Sequence, residues 1–165
     1  KNILRLMQAF DLYKQITKSS EKLVIAGSNL YRAQELYRLK EDMTFGEDVI
    51  FTGHVSNMEM NNIVASALAM VFVPVFEGFG IPPLEAMQCN VPVIAANNSS
   101  VPEITGDAAL LVDPCNISEI VHAMINIKTD KVLRDDLITK GKSRKSYFSW
   151  DKTGDLLWNS INKAL

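Results

Sequence analysis

Short apolar runs closed by a turn residue recur along this chain and alternate with helical stretches. Leu23-Val-Ile-Ala26 ends at Gly27, and Val49-Ile-Phe-Thr52 ends at Gly53. Further apolar runs lie at residues 69–75, 91–95 and 109–112. Such near-continuous runs suit strands buried on both faces, as in a parallel sheet. Ile3, Leu6, Met7, Phe10 and Tyr13 recur at helical spacing, which predicts an amphipathic helix over residues 3–18. Residues 31–40 are helical in composition, and Ser56 or Asn57 can cap a helix reaching residue 66. A short helix fits residues 82–89, and helical stretches at 118–127, 131–147 and 151–164 follow the last strand. The regular alternation predicts a doubly wound α/β domain with a mostly parallel sheet and helices on both faces. In such sheets ligands sit beyond the carboxyl ends of the strands. Gly27, Gly53 and the turn at residues 77–80 all fall at such ends.

A chain of 165 residues favours one domain with a real core. Apolar content of 47% and charged content of 22% are ordinary for a soluble globular protein. The formal net charge of −2 gives no support to nucleic-acid binding. Cys89 and Cys115 form no metal-ligand spacing, and no metal site is expected. Their apolar or helical neighbours predict buried, neutral thiols in a reducing compartment. The run at residues 67–76 contains Pro74 and is far too short to span a bilayer. The chain opens Lys1-Asn2-Ile3-Leu4-Arg5, already helical in pattern and without Met, which reads as a piece excised from a longer protein.

The segment Glu77-Gly-Phe-Gly-Ile-Pro-Pro-Leu-Glu85 reads as strand end, tight turn and helix start, with a carboxylate on each side. Gly78 and Gly80 let the backbone approach a ligand closely. Pro82 or Pro83 suits a first helical turn. The helix N-terminus then offers amide donors and partial positive charge to an anion such as a diphosphate. Glu77 can accept hydrogen bonds from sugar hydroxyls, and Glu85 can hold both hydroxyls of a ribose. On spacing alone, a plain turn with a dipole-stabilising Glu fits equally well. No GxGxxG is present, so a nicotinamide site loses its main support.

The same segment resembles the E-x7-E signature of the large retaining glycosyltransferase family known as family 4, of GT-B fold. Lys1-Asn2, the stretch Val49-Ile-Phe-Thr-Gly-His-Val55, the segment at residues 84–95, Ser100-Val-Pro-Glu-Ile104, Gly106-Asp-Ala-Ala109 and Val112-Asp-Pro114 resemble further landmarks of that family, in order. Asn90 stands where the family usually has Gly, as the second-choice residue for a left-handed cap. The resemblance implies a Rossmann-like domain over residues 1–165, the C-terminal, donor-binding half of a GT-B enzyme whose acceptor-binding half is absent. It implies that Glu77 contacts the donor sugar, Glu85 binds the ribose, and Lys1 neutralises the leaving diphosphate. Backbone around Gly78, Phe79, Gly80 and Ile81 would meet the diphosphate or sugar, and backbone near His54 and Val55 the base. No cofactor is required, and Lys1 with the helix dipole replaces a metal ion. The family's Arg, a few residues before the Lys, lies upstream of this chain.

Other residues have plainer readings. His54 suits a surface position, and His122 a structural place in a helix. Ser100-Val-Pro-Glu103 fits a capping box, with Ser99 and Ser100 facing the ligand edge as the lesser alternative. Lys140, Lys142, Arg144 and Lys145 read as a solvated helix end, with contact to anionic lipid left open. Trp150 and Trp158 are expected to anchor the last helix.

The function this supports is transfer of a hexosyl group from a nucleotide diphosphate sugar, UDP- or GDP-linked, to a hydroxyl acceptor in glycan or polysaccharide biosynthesis. The partners are the nucleotide sugar and, through the missing half, a glycan or lipid-linked acceptor. A sugar-nucleotide epimerase of similar architecture and a non-catalytic nucleotide-binding module are the alternatives. The isolated domain is not expected to turn over, because the cleft needs its other half. The expected location is cytoplasmic, with peripheral contact at the cytoplasmic membrane face left open.

Overall fold

A computed structural model describes residues 1–27 and 33–164. The order is α1 (Ile3–Thr17), β1 (Leu23–Ala26), α2 (Ala33–Asp42), a 3-10 turn (Gly46–Asp48), β2 (Val49–Gly53) and α3 (Asn57–Ala65). Then come β3 (Met70–Phe72), α4 (Ile81–Gln88), β4 (Val93–Ala96), α5 (Val101–Thr105) and β5 (Ala109–Val112). The chain closes with α6 (Ile117–Thr129), α7 (Lys131–Arg144), a second 3-10 turn (Lys145–Tyr147) and α8 (Trp150–Ala164). The expected start of α2 at residue 31 lies outside the described residues.

All strand pairs are parallel, as the apolar runs predict, and they form two sheets among the described residues. β1 pairs with β2, and β3, β4 and β5 lie in that order. β3 is shorter than the apolar run suggested. Pro74 has no N–H to continue a ladder, so buried Val73 and Pro74 lead out of the strand instead.

The period-2 alternation of β3, β4 and β5 divides two cores. Ile94, Val71, Leu110 and Val112 face a core built with Met7, Phe10 and Leu6 of α1 and Ile120, Val121 and Met124 of α6. Val93, Ala95, Met70, Phe72 and Ala109 face a second core with Val64 of α3, Ala86 and Met87 of α4, and Val101 of α5. Every residue of β4 is buried, which is why its sequence shows no polar alternation. β1 and β2 put Ile25 and Val49 into the first core and leave Val24 and Ile50 outward.

The capping choice left open for α3 falls on Ser56. Its hydroxyl accepts from Glu59 N while Ser56 N donates to the Glu59 carboxylate, a full capping box. Asn90 takes φ 57° after α4, as its cap position predicted. Gly141 is buried where α7 crosses α4, and a Cβ there would lie 3.1 Å from Met87 Cγ.

Three side-chain expectations are corrected. Cys115 is exposed in the turn before α6 and Cys89 is half-buried, so neither is a fully buried thiol. Trp150 and Trp158 are 82% and 63% exposed, because α8 turns no residue into either core. Arg144 is half-buried rather than solvated, donating to the carbonyls of Glu103 and Ile104.

Candidate functional site

The site is assembled at the carboxyl ends of β3, β4 and β5. Asn2 precedes α1 in a left-handed conformation, φ 60° and ψ 29°. Asn tolerates this region better than most residues. Its Nδ2 donates to Val73 O at 3.0 Å, beyond β3, and to Pro114 O at 2.6 Å, beyond β5. Its Oδ1 accepts from Arg5 Nη1 at 2.9 Å. The amide thereby clasps the start of α1, and with it Lys1, to this edge. Lys1 is exposed and forms no ion pair or side-chain hydrogen bond with any described residue.

The loop at residues 77–80 stands on the turn after β4. Asn98 Nδ2 donates to Val75 O at 2.8 Å, and Glu77 N donates to Ser99 Oγ at 3.2 Å. Ser100 Oγ lies 3.0 Å from Glu77 O and 2.9 Å from Phe79 O. The Ser100–Glu103 capping box is not formed. Ser100 has helical angles, φ −78° and ψ −14°, and its hydroxyl serves the loop instead. Ser99 and Ser100, whose ligand-edge place was the lesser alternative to a capping role, support the loop, and Asn98, which the sequence did not single out, does so too. Contacts more than 20 positions apart leave no trace in spacing.

Gly80 begins α4 at φ 104°, a conformation that strains any residue with a Cβ. A helix leaves its first amides unbonded. Here Pro82 and Pro83 have no N–H. Gly80 and Ile81 thus carry the free donors of that first turn. Among the described residues no side chain caps them, and the helix dipole lies behind them. The Glu77 carboxylate accepts from Gly78 N at 3.2 Å. Glu85, one turn into α4, is exposed and has no partner among the described residues. An ion-pair role is therefore excluded for it there.

The structure thus brings Lys1, Glu77, Gly78, Phe79, Gly80 and Ile81 onto one framework, with Glu85 on the helix that leaves it. His54 and Val55 follow β2 on the other sheet, exposed and half-buried respectively, and enter none of these hydrogen bonds. His122 is exposed on α6. Cavities of about 290 and 210 Å³ are lined by residues such as Tyr37 and Glu47, and Leu111 and His122. Neither includes Glu77 or Glu85. Among the described residues, no group of three His, Cys, Asp or Glu is placed to hold a metal ion.

Such an edge offers an exposed lysine, two free amides and two hydroxyl-accepting carboxylates, a set that can meet a phosphorylated sugar. Comparison with known proteins identifies the family. The family model for glycosyl transferases group 1 matches residues 1–144. O-antigen chain mannosyltransferase B of Escherichia coli is 32% identical over 151 residues, covering 92% of this chain and 40% of that protein. O-antigen chain mannosyltransferase RfbU of Salmonella typhimurium is 31% identical over 158 residues, covering 96% of this chain and 44% of that protein. The chain therefore spans less than half the length of either relative. Sucrose-phosphate synthase from Thermosynechococcus elongatus superposes over 100% of this chain and 43% of its own, with a TM-score of 0.81 at 25% identity. WaaG, a glycosyltransferase involved in lipopolysaccharide biosynthesis, superposes over 92% of this chain and 42% of its own, with a TM-score of 0.77 at 16% identity. The chain belongs to the group 1 glycosyltransferases.

Proposed function

We propose that this chain is the donor-binding part of a retaining hexosyltransferase whose donor is GDP-mannose. The observation that carries the reading is the Asn2 clasp. It ties the start of α1, which carries Lys1, to the strand ends beside which α4 begins, and the reading assigns Lys1 and the Gly80 and Ile81 amides together to the departing diphosphate. Glu85, exposed and without a hydrogen-bond or ion-pair partner among the described residues, is assigned the ribose hydroxyls. Glu77 is assigned the sugar, and the backbone near His54 and Val55 the base. The two O-antigen mannosyltransferases, and a GDP-mannose-dependent mannosyltransferase of Corynebacterium glutamicum 30% identical over 150 residues, support a GDP-linked mannose over a UDP-sugar.

In the reaction the bond between the anomeric carbon and the diphosphate oxygen breaks, a bond to the acceptor oxygen forms on the same face of the sugar, and the acceptor hydroxyl's proton passes to the departing phosphate oxygen. Positive charge on Lys1 and the α4 amides meets negative charge developing on the departing diphosphate, the role a divalent cation fills elsewhere. No resident cofactor is assigned. The acceptor, a glycan or lipid-linked glycan, is read by parts of the enzyme beyond this chain. The proposed location is cytoplasmic, where peripheral membrane contact would bring a lipid-linked acceptor within reach; among the described residues no helix is long and apolar enough to cross a membrane.

The test is a calorimetric titration of this chain with GDP-mannose, UDP-glucose and ADP-glucose. The reading expects GDP-mannose to bind most tightly. Tighter binding of a UDP- or ADP-sugar would overturn the donor assignment, and binding of none would overturn the donor-site reading as a whole.

A further inference from the structure

The loop that carries Glu77 is also gripped from the far end of the domain. Phe79, between the two glycines of the loop, meets Phe148 edge to face, with ring centres 5.9 Å apart and planes at 90°. Phe148 follows the 3-10 turn that continues α7. It is held there by Arg144, whose guanidinium carbon lies 5.3 Å from the Phe148 ring centre and 5.5 Å from that of Tyr147. Arg144 is itself fixed, since Nε donates to Ile104 O at 2.9 Å and Nη2 donates to Glu103 O. Those carbonyls belong to α5, the helix that follows the Ser99–Ser100 support of the same loop. The loop is therefore clamped on one side by hydroxyl bonds to its backbone and on the other by an aromatic contact to its one large side chain.

Phe79 is 46% exposed, so its contact with Phe148 does little to fill a core. Gly78 and Gly80 on either side impose few limits on the backbone. The grip on Phe79 therefore adds to the Ser100 bonds in fixing the direction of the Gly80 and Ile81 amides. From this geometry we propose that Phe148, seated by Arg144, is a positioning residue that aims the Phe79–Ile81 backbone at the diphosphate and sugar of the donor. The inference rests on the donor-site reading above and adds to it a residue 63 positions beyond Glu85, outside the signature segment.

The test compares Phe148→Leu and Phe148→Tyr with the wild-type chain, titrating GDP-mannose and GMP and recording melting temperature. GMP reaches the base and ribose contacts but lacks the second phosphate and the sugar. An aromatic pair of this geometry is worth roughly 2- to 10-fold in an equilibrium constant. Phe148→Leu should weaken GDP-mannose by about that factor and leave GMP affinity within about 2-fold, while Phe148→Tyr keeps wild-type affinity for both. Unchanged GDP-mannose affinity in Phe148→Leu, or an equal loss for both ligands, would overturn the positioning role while leaving the donor site standing. Absence of binding by the wild-type chain would instead remove the donor-site reading and this inference with it. If Phe148→Leu does not fold, Phe148→Met carries the same comparison.

Discussion

Asn2→Asp changes the site by one atom and little volume, and its cost can be worked from the clasp. The two donors of Asn2 Nδ2 reach Val73 O at 3.0 Å and Pro114 O at 2.6 Å. A carboxylate has no hydrogen to offer, so both bonds are lost and an oxygen faces two carbonyl oxygens. Two bonds at ~1 kcal/mol each, with a repulsion of similar size, come to about 3 kcal/mol. Two effects oppose this. Arg5 Nη1, already 2.9 Å from Oδ1, gains an ionic partner, and a negative charge at the start of α1 suits the helix dipole. Both are partly solvated and together offset about 1 kcal/mol. The net loss is about 2 kcal/mol, or roughly 4–8 °C in melting temperature for a domain of this size. Asn2→Gly separates the terms, since it keeps φ 60° without strain and loses only the bonds. It should lower stability by about 1–2 kcal/mol. Thermal melts and urea titrations with unchanged slope provide the assay. If both variants melt within about 1 °C of wild type, the clasp does not hold α1 to the sheet edge, and the placement of Lys1 fails with it.

Two further predictions concern stability. Lys14 is buried to 3% exposure in α1, with Nζ 2.8 Å from Asp48 Oδ2 and 3.1 Å from Glu21 O, and a third bond to Ser19 O. Lys14→Met strands two carbonyls and a partly exposed carboxylate and should cost about 2–4 kcal/mol in urea unfolding; a loss under about 0.5 kcal/mol would refute that account. Burial pushes the Glu21 pKa up, but hydrogen bonds from Lys128, Ser19 and its own backbone outweigh this and lower it from 4.5 to about 2. A depressed carboxylate contributes stability above its unfolded pKa and loses it as pH falls through the folded value. Stability should therefore decline between about pH 4.5 and pH 2, and Glu21→Gln should flatten that limb; an identical acid limb in the variant would contradict the assignment.

The sequence was most legible where local chemistry acts alone. β1 and β5 match their apolar runs residue for residue, because turn-forming residues close them at once. The Ser56 capping box and the left-handed Asn90 follow from local rules of backbone bonding. α5 was legible only as a cap, since five residues are too short to show periodicity. What escaped were long-range bonds. Ser100 looks like a helix cap until the loop 21–23 positions earlier lies beside it. Arg144 looks solvated until its carbonyl partners are placed. Trp150 and Trp158 look like anchors, yet α8 meets neither core. Within the site, the acids, glycines and prolines were readable from sequence, whereas the parts that orient them, Asn98, Ser100 and Phe148, were not.

The central claim is that the exposed, unpartnered Glu85 carboxylate holds the donor's ribose. Titrating GDP into the wild-type chain and Glu85→Ala by calorimetry tests it directly. Charge-assisted hydrogen bonds to a diol are worth about 1.5–3 kcal/mol, so the variant should bind about 10- to 100-fold more weakly. Its melting temperature should barely move, because the exposed side chain makes no hydrogen bond or ion pair with a described residue. Equal GDP affinity in the two proteins would contradict the ribose assignment and, with it, the orientation proposed for the donor.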